Sequence, residues 1–166
     1  ANGDSIAHGG ASFTAIVAAA SATETYLSEV LAHLQEKGMI TAGERDEIRK
    51  KDGLWAKYNS LARAFGTGLH KEPIYNAFQA LIHLRNCMVH RSAEYSEPGV
   101  WPEEVRPYKT LIPHVAGGNL DWTSQVFDAQ TAAWAVRTAK DFLAKVDDCV
   151  PDPGRLPFQD PGRSPN

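Results

Sequence analysis

The spacing of apolar residues predicts an all-α protein. Apolar residues recur at intervals of three or four, which is the pattern of helices that bury one face, and the first such stripe runs from Phe13 to Leu34. Ser12 is suited to cap that helix, and Thr41 and Glu44 have capping-box spacing. The predicted helices cover residues 13–37, 41–51, 54–65, 72–92 and 124–147. They predict an up-and-down helical bundle of four main helices plus a short helix.

A long Pro-rich loop precedes the last helix. Helical periodicity disappears over residues 94–122, where four prolines interrupt the sequence and Gly117-Gly118-Asn119 is typical of a turn. We expect at most a short hairpin around residues 108–112. The domain organisation that follows is a flexible N-terminus over residues 1–11, a bundle over residues 12–148 and a Pro-rich disordered tail over residues 149–166.

Composition restricts the class of protein without naming a function. The chain has 166 residues, 43% of them hydrophobic, and a formal charge of −3, which argues against coating long stretches of nucleic acid. No apolar run approaches the roughly 20 residues of a membrane span, so no membrane association is expected. Two cysteines without a spacing motif predict reduced thiols in a cytoplasmic protein.

Two charged residues fall inside predicted apolar stripes. Arg85 lies near the centre of the stripe on the fourth helix, and Glu24 lies about 20° from Phe13 on the first. A buried arginine is costly unless a carboxylate or phosphate meets it. The sequence therefore predicts a salt bridge between Arg85 and Glu24. That pair has two interpretations: it fixes helix register, or it orients Arg85 toward a phosphate ligand.

His90 lies on a second, polar face of the same helix. It follows Arg85 by five residues, about 140° around the helix, and shares its direction with His83 and, more loosely, with Asn86. A histidine on such a face is either simply solvated or a functional group. Its position beside Arg85, where a long loop begins, favours function.

The segment Leu84-Arg85-Asn86-Cys87-Met88-Val89-His90 resembles the Arg-Asn-x-x-x-His motif of HEPN domains, small helical bundles found in many prokaryotic ribonucleases. Residues 18–27, small side chains around Glu24, are similar to the first helix of that family. The resemblance covers roughly residues 12–148, and the loop over residues 94–122 is longer than the minimal family pattern.

The resemblance implies metal-independent cleavage of single-stranded RNA to 2′,3′-cyclic phosphate ends, without cofactors. His90 would move protons, Arg85 would stabilise the phosphorane oxygens, Asn86 would bind substrate or orient His90, and Glu24 would hold Arg85. It also implies a homodimer, a defence, toxin–antitoxin or stress context, and an antitoxin or regulatory protein as a further partner. The alternative function is a non-catalytic HEPN-like bundle that binds a protein partner or nucleotide.

Other candidate residues are weaker. His90 and Glu94 have metal-ligand spacing but lack a clear third ligand, so no metal is expected. Cys87 is either a reactive thiol beside basic residues or a small packing residue, and the latter is favoured. Arg91, Tyr95 and Trp101 are candidate RNA contacts, but for the two aromatic rings a role in pinning the loop to the bundle is favoured. Nothing in the sequence resembles a nucleotide-binding glycine loop.

Overall fold

The computed structural model describes residues 2–69, 72–91, 97–115, 120–152, 154 and 156, apart from the side chains of residues 2–9 and of Arg91. The chain is an all-α helical bundle, as its periodicity predicts, and the described residues contain no strand. Its α-helices are α1 (Asn2–Glu36), α2 (Ala42–Arg49), α3 (Leu54–Ala64), α4 (Pro73–Arg91), α5 (Trp122–Val126) and α6 (Ala129–Cys149), with a 3₁₀ helix over Arg106–Leu111 between α4 and α5. None of the described helices combines the length and the apolar character that crossing a bilayer requires.

The chain comprises two compact units. Unit 1 contains Ala1–Glu24 and His70–Leu143, and unit 2 contains Thr25–Leu69 and Ala144–Asn166. The motif on α4 and the Pro-rich connection both belong to unit 1. The single domain predicted over residues 12–148 is thus divided between two units.

Unit 1 is held together by apolar and aromatic packing. The rings of Phe78 on α4 and Phe142 on α6 stack with centroids 3.7 Å apart and an interplanar angle of 4°. Phe13 on α1 meets Phe127 edge to face at 6.0 Å. Trp122 is fully buried. Aromatic pairs of this kind add about 0.5–1.5 kcal/mol each beyond the burial of their area. The first pair therefore fixes α4 to α6, and the second fixes α1 to the end of α5.

Unit 2 has a short helix with a confirmed cap. The Thr41 hydroxyl accepts from the backbone N–H of Glu44, and the Glu44 carboxylate accepts from the backbone N–H of Thr41. This reciprocal pair satisfies two donors that a helix start leaves open, which explains why α2 begins where the sequence predicts.

A second contact in unit 2 joins α1 to α6. Tyr26 donates a hydrogen bond to Asp147, and burial, together with this hydrogen bond, raises the pKa of the tyrosine.

Two predicted features of the helices are corrected. α1 starts at Asn2, so Ser12 is a buried residue inside the helix and not its cap; the hydroxyl of Thr14 donates to the carbonyl of Gly10, as it does in continuous helix. Residues 2–11 are therefore helical where a flexible terminus is predicted. The predicted last helix is divided into α5 and α6, because Asp121 and Asp128 each cap a separate start.

The start of the predicted tail is packed in unit 2. Val150 and Gly154 are buried, and Gly154 lies against Leu34 and Met39. A Cβ added to Gly154 would lie 2.6 Å from Met39 Sδ and 2.7 Å from Leu34 Cδ2, so a larger residue fits here only if these two side chains move. Most of the remaining tail lies outside the described residues.

The connection between α4 and α6 contains regular structure. Its centre is the 3₁₀ helix Arg106–Leu111, which replaces the hairpin expected around residues 108–112. Pro107 fits the first turn of that helix because its missing N–H is not needed there. The described part of the Pro-rich loop over residues 97–115 is thus a folded segment that packs on α4.

Candidate active site

The polar face of α4 lines a pocket. His83, Asn86, Cys87 and His90 project within an arc of about 100° of that helix, since each residue advances the direction by about 100°. Together with Glu104 from the connection they line a pocket of about 200 Å³. Two of the three predicted catalytic residues, Asn86 and His90, are therefore brought together in one concave site.

The opposite wall of the pocket comes from the connection. Glu104 is an exposed residue just before the 3₁₀ helix, and Tyr108 lies within that helix. The ring of Tyr108 stacks on the imidazole of His83, with centroids 5.2 Å apart and planes inclined by 17°. Val105, between these two residues, is fully buried and holds the wall against the core. The stacked ring fixes the orientation of His83.

Trp101 anchors this wall. Its indole N–H donates to Gln125 Oε1 at 3.1 Å, and Gln125 Nε2 donates to the carbonyl of Leu120 at 2.9 Å. Lys109 Nζ lies over the indole ring at 5.2 Å, and His114 meets the ring edge to face. Trp101 is only 3% exposed, which fits the interpretation that its ring pins the loop to the bundle. Its predicted contact with RNA stays a prediction.

His83 is a half-buried base. Burial lowers the pKa of its imidazole below the ordinary value, while the nearby carboxylate of Glu104 acts in the opposite direction. Desolvation is the larger of the two effects, and it lowers the pKa because it disfavours the charged ring. At neutral pH the ring is thus held in its neutral form, in which a ring nitrogen accepts a proton.

Arg85 lies beside the pocket and does not line it. Its Nη1 donates to Asn86 Oδ1 at 3.0 Å, so the amide that lines the pocket is fixed by the arginine. The Nε of Arg85 is buried and has no hydrogen-bond partner among the described residues. Such a buried donor costs about 1–3 kcal/mol. Arg85 therefore makes one hydrogen bond toward the pocket, through Nη1, and buries one donor, Nε, that has no partner among the described residues.

The predicted salt bridge between Arg85 and Glu24 is absent. No ion pair joins Arg85 to Glu24 among the described side chains, and the side chain of Glu24 is exposed. The reason is the orientation of α1. Its buried face is centred near Ile16, Thr23 and Leu34, and Glu24 projects about 90° away from that centre. The supporting role predicted for Glu24 through this contact is wrong.

The remaining predicted residues have different outcomes. His90 is exposed at the rim of the pocket, and Cys87 is a buried thiol beneath it. The side chain of Arg91 and all of Tyr95 lie outside the described residues, so their predicted contacts with RNA stay predictions. Within the described part of the chain, no three His, Cys, Asp or Glu residues are grouped to hold a metal ion.

Two wall residues could not be identified from sequence. Glu104 and Tyr108 follow α4 in a segment without periodicity, and only the packing of the connection brings them to His83. His83 itself had a signal in the sequence, because it shares a helix face with His90.

The arrangement offers two imidazoles, an amide held by an arginine, and a carboxylate, which is a set suited to proton transfer near a phosphate. No family model matches this chain, and no curated protein or solved structure shows significant similarity to it.

Proposed function

We propose that this chain is a metal-independent endoribonuclease that cleaves single-stranded RNA to 2′,3′-cyclic phosphate and 5′-OH ends. The observation that supports the proposal most directly is the pocket lined by His83, Asn86 and His90, with Arg85 bonded to Asn86 at its edge. Its sequence counterpart is the resemblance of the Arg85-to-His90 segment to the HEPN motif.

The chemistry assigns a role to each of these groups. The ribose 2′-OH attacks the adjacent phosphorus, and the 5′-oxygen leaves. His90, which is solvent-exposed at the pocket rim, transfers a proton during this step. Arg85 supplies positive charge for the developing phosphorane, and Asn86 hydrogen-bonds a phosphate or ribose oxygen. Arginine suits this role because its guanidinium donates from several N–H groups at once.

The wider setting is part of the same proposal. A homodimer would bring two copies of α4 together, as symmetric association is the commonest closed assembly. We further propose a cytoplasmic protein that acts in defence, toxin–antitoxin or stress response, with an antitoxin or regulatory protein as its partner.

The test is cleavage of a labelled single-stranded RNA by the purified protein in EDTA, followed by identification of the product ends by mass spectrometry. We expect cyclic phosphate ends, and we expect His90→Ala to abolish them without loss of thermal stability, because the exposed ring fills no cavity. The matched control is His33→Ala. His33 lies on α1 in unit 2, so this variant should cleave RNA like the wild type.

An intact RNA after incubation with wild-type protein would refute the nuclease. In that case the favoured function would be a non-catalytic bundle that binds a protein partner or nucleotide. The position of Arg85 supports this second candidate, since it is half-buried, bonded to Asn86 and absent from the pocket lining. Binding of RNA without cleavage, measured by fluorescence anisotropy, would distinguish the two.

A further inference from the structure

Cleavage of the kind proposed above needs two proton transfers. One group removes the proton of the 2′-OH, and another supplies a proton to the departing 5′-oxygen, on the other side of the phosphorus. A single histidine cannot perform both in one step, because the proton it takes is not at the position where a proton is required. The proposed role of His90 therefore leaves one transfer unassigned.

We propose that His83 is the second proton-transfer group and acts with His90 of the same chain. His83 accepts the 2′-OH proton as the 2′-oxygen forms its bond to phosphorus. The bond from phosphorus to the 5′-oxygen breaks, its electron pair stays on that oxygen, and His90 donates the proton that completes the 5′-OH. Proton exchange with water then restores both rings. This inference rests on the proposed function.

Helix geometry places the two rings at opposite ends of one pocket. His83 and His90 are seven residues apart on α4, which is about 10.5 Å along the axis and only about 20° in direction. Both line the pocket, and Asn86 lies between them along the helix. A phosphodiester held at Asn86 would have one imidazole toward each end. The two groups belong to one chain, so the pair does not require a partner subunit.

The surroundings of His83 suit a base. The groups that face it are Tyr108 from the 3₁₀ helix, Glu104 from the connection, and Cys87 and His90 from its own helix. Burial lowers the pKa of His83, so the neutral ring that a base needs is favoured. Glu104 stabilises the imidazolium once the proton has arrived, and the stacked ring of Tyr108 keeps the imidazole in one plane.

A change of leaving group separates the two roles. Uridine 3′-(4-nitrophenyl phosphate) releases nitrophenolate, which leaves without a proton, whereas an RNA dinucleotide must release a 5′-OH. We expect His83→Phe to lose about 10²–10⁴-fold activity on both substrates, because the base is needed for each. His90→Ala should lose as much on the dinucleotide but less than about 10-fold on the nitrophenyl ester.

The choice of phenylalanine preserves the stacking on Tyr108 while it removes the proton acceptor. His83→Gln, which is smaller and polar, replaces it if the melting temperature falls, and His33→Ala is the control. A His83 variant within about 10-fold of wild type on both substrates would overturn the inference and leave the nuclease intact. Equal losses for both variants on both substrates would overturn the division of roles. Failure of the wild-type protein to cleave either substrate would overturn the nuclease and this inference together.

Discussion

Replacing Arg85 by methionine tests the reasoning about the buried guanidinium. Methionine keeps a straight apolar stem and removes the Nε donor, whose burial without a partner costs about 1–3 kcal/mol. It also removes the 3.0 Å hydrogen bond to Asn86, which contributes about 1 kcal/mol. We therefore expect the free energy of unfolding to be unchanged or to rise by up to about 2 kcal/mol. RNA cleavage should nevertheless be lost.

If Arg85 formed a buried salt bridge instead, Arg85→Met would lower the free energy of unfolding. Removing one partner of such a pair costs about 3–5 kcal/mol, so the two accounts differ by about 5 kcal/mol. For a chain of this size, that difference corresponds to roughly 10–20 °C in melting temperature. Urea unfolding followed by circular dichroism measures it directly. Arg63→Met, at an exposed position of α3, controls for the loss of an arginine as such. A loss of more than about 2 kcal/mol in Arg85→Met alone would show that the guanidinium is well satisfied.

Three further predictions follow from the described contacts. Gln125→Leu leaves the buried indole N–H of Trp101 without its acceptor, and we expect a loss of about 1–3 kcal/mol in chemical denaturation; an unchanged midpoint would contradict the role of Gln125 as anchor. Gly154→Ala places a Cβ 2.6 Å from Met39 Sδ and 2.7 Å from Leu34 Cδ2, so both side chains must move, and it should destabilise the protein by about 1 kcal/mol; a thermal melt equal to wild type would disprove this. Burial lowers the pKa of His83, so the unfolded chain binds the proton first as pH falls. The contribution of His83 to stability is therefore present above its ordinary pKa, about 6.5, and is lost as pH falls below it. We expect His83→Phe to weaken the decline of stability below that pH, measured by denaturation at stepped pH.

The sequence predicted most of the helices because their signals are local. The cap formed by Thr41 and Glu44 involves neighbours in sequence, and the polar face that carries His83 and His90 follows from helical period alone. The start of α1 was wrong because Ser12, a good cap by residue type, lies inside a longer helix. Residue preference at a helix end is weaker evidence than a reciprocal pair of contacts.

The parts that sequence could not predict depend on distant contacts. Glu24 was placed on the buried face of α1 because the stripe was referenced to Phe13, whereas packing turns the helix so that Thr23 is buried and Glu24 is exposed. The wall of the pocket forms because Trp101 reaches Gln125, a contact between residues 24 positions apart that no periodicity encodes. The stacking of Tyr108 on His83 is likewise a contact between residues distant in sequence, which no periodicity encodes.

The dependence of this wall on Gln125 separates the opening of the pocket from the unfolding of the protein. Segments open locally at lower free energy than the whole fold, so we expect the connection to detach from α4 as one cooperative piece while the helices stay formed. Amides of the 3₁₀ helix should then exchange with deuterium together and faster than those in the middle of α4 and α6. Substitution of an anchor residue would raise that exchange rate and lower the fraction of molecules with a complete pocket. The fraction of molecules with a complete pocket would thus depend on a glutamine in α5, far in sequence from the histidines that line the pocket.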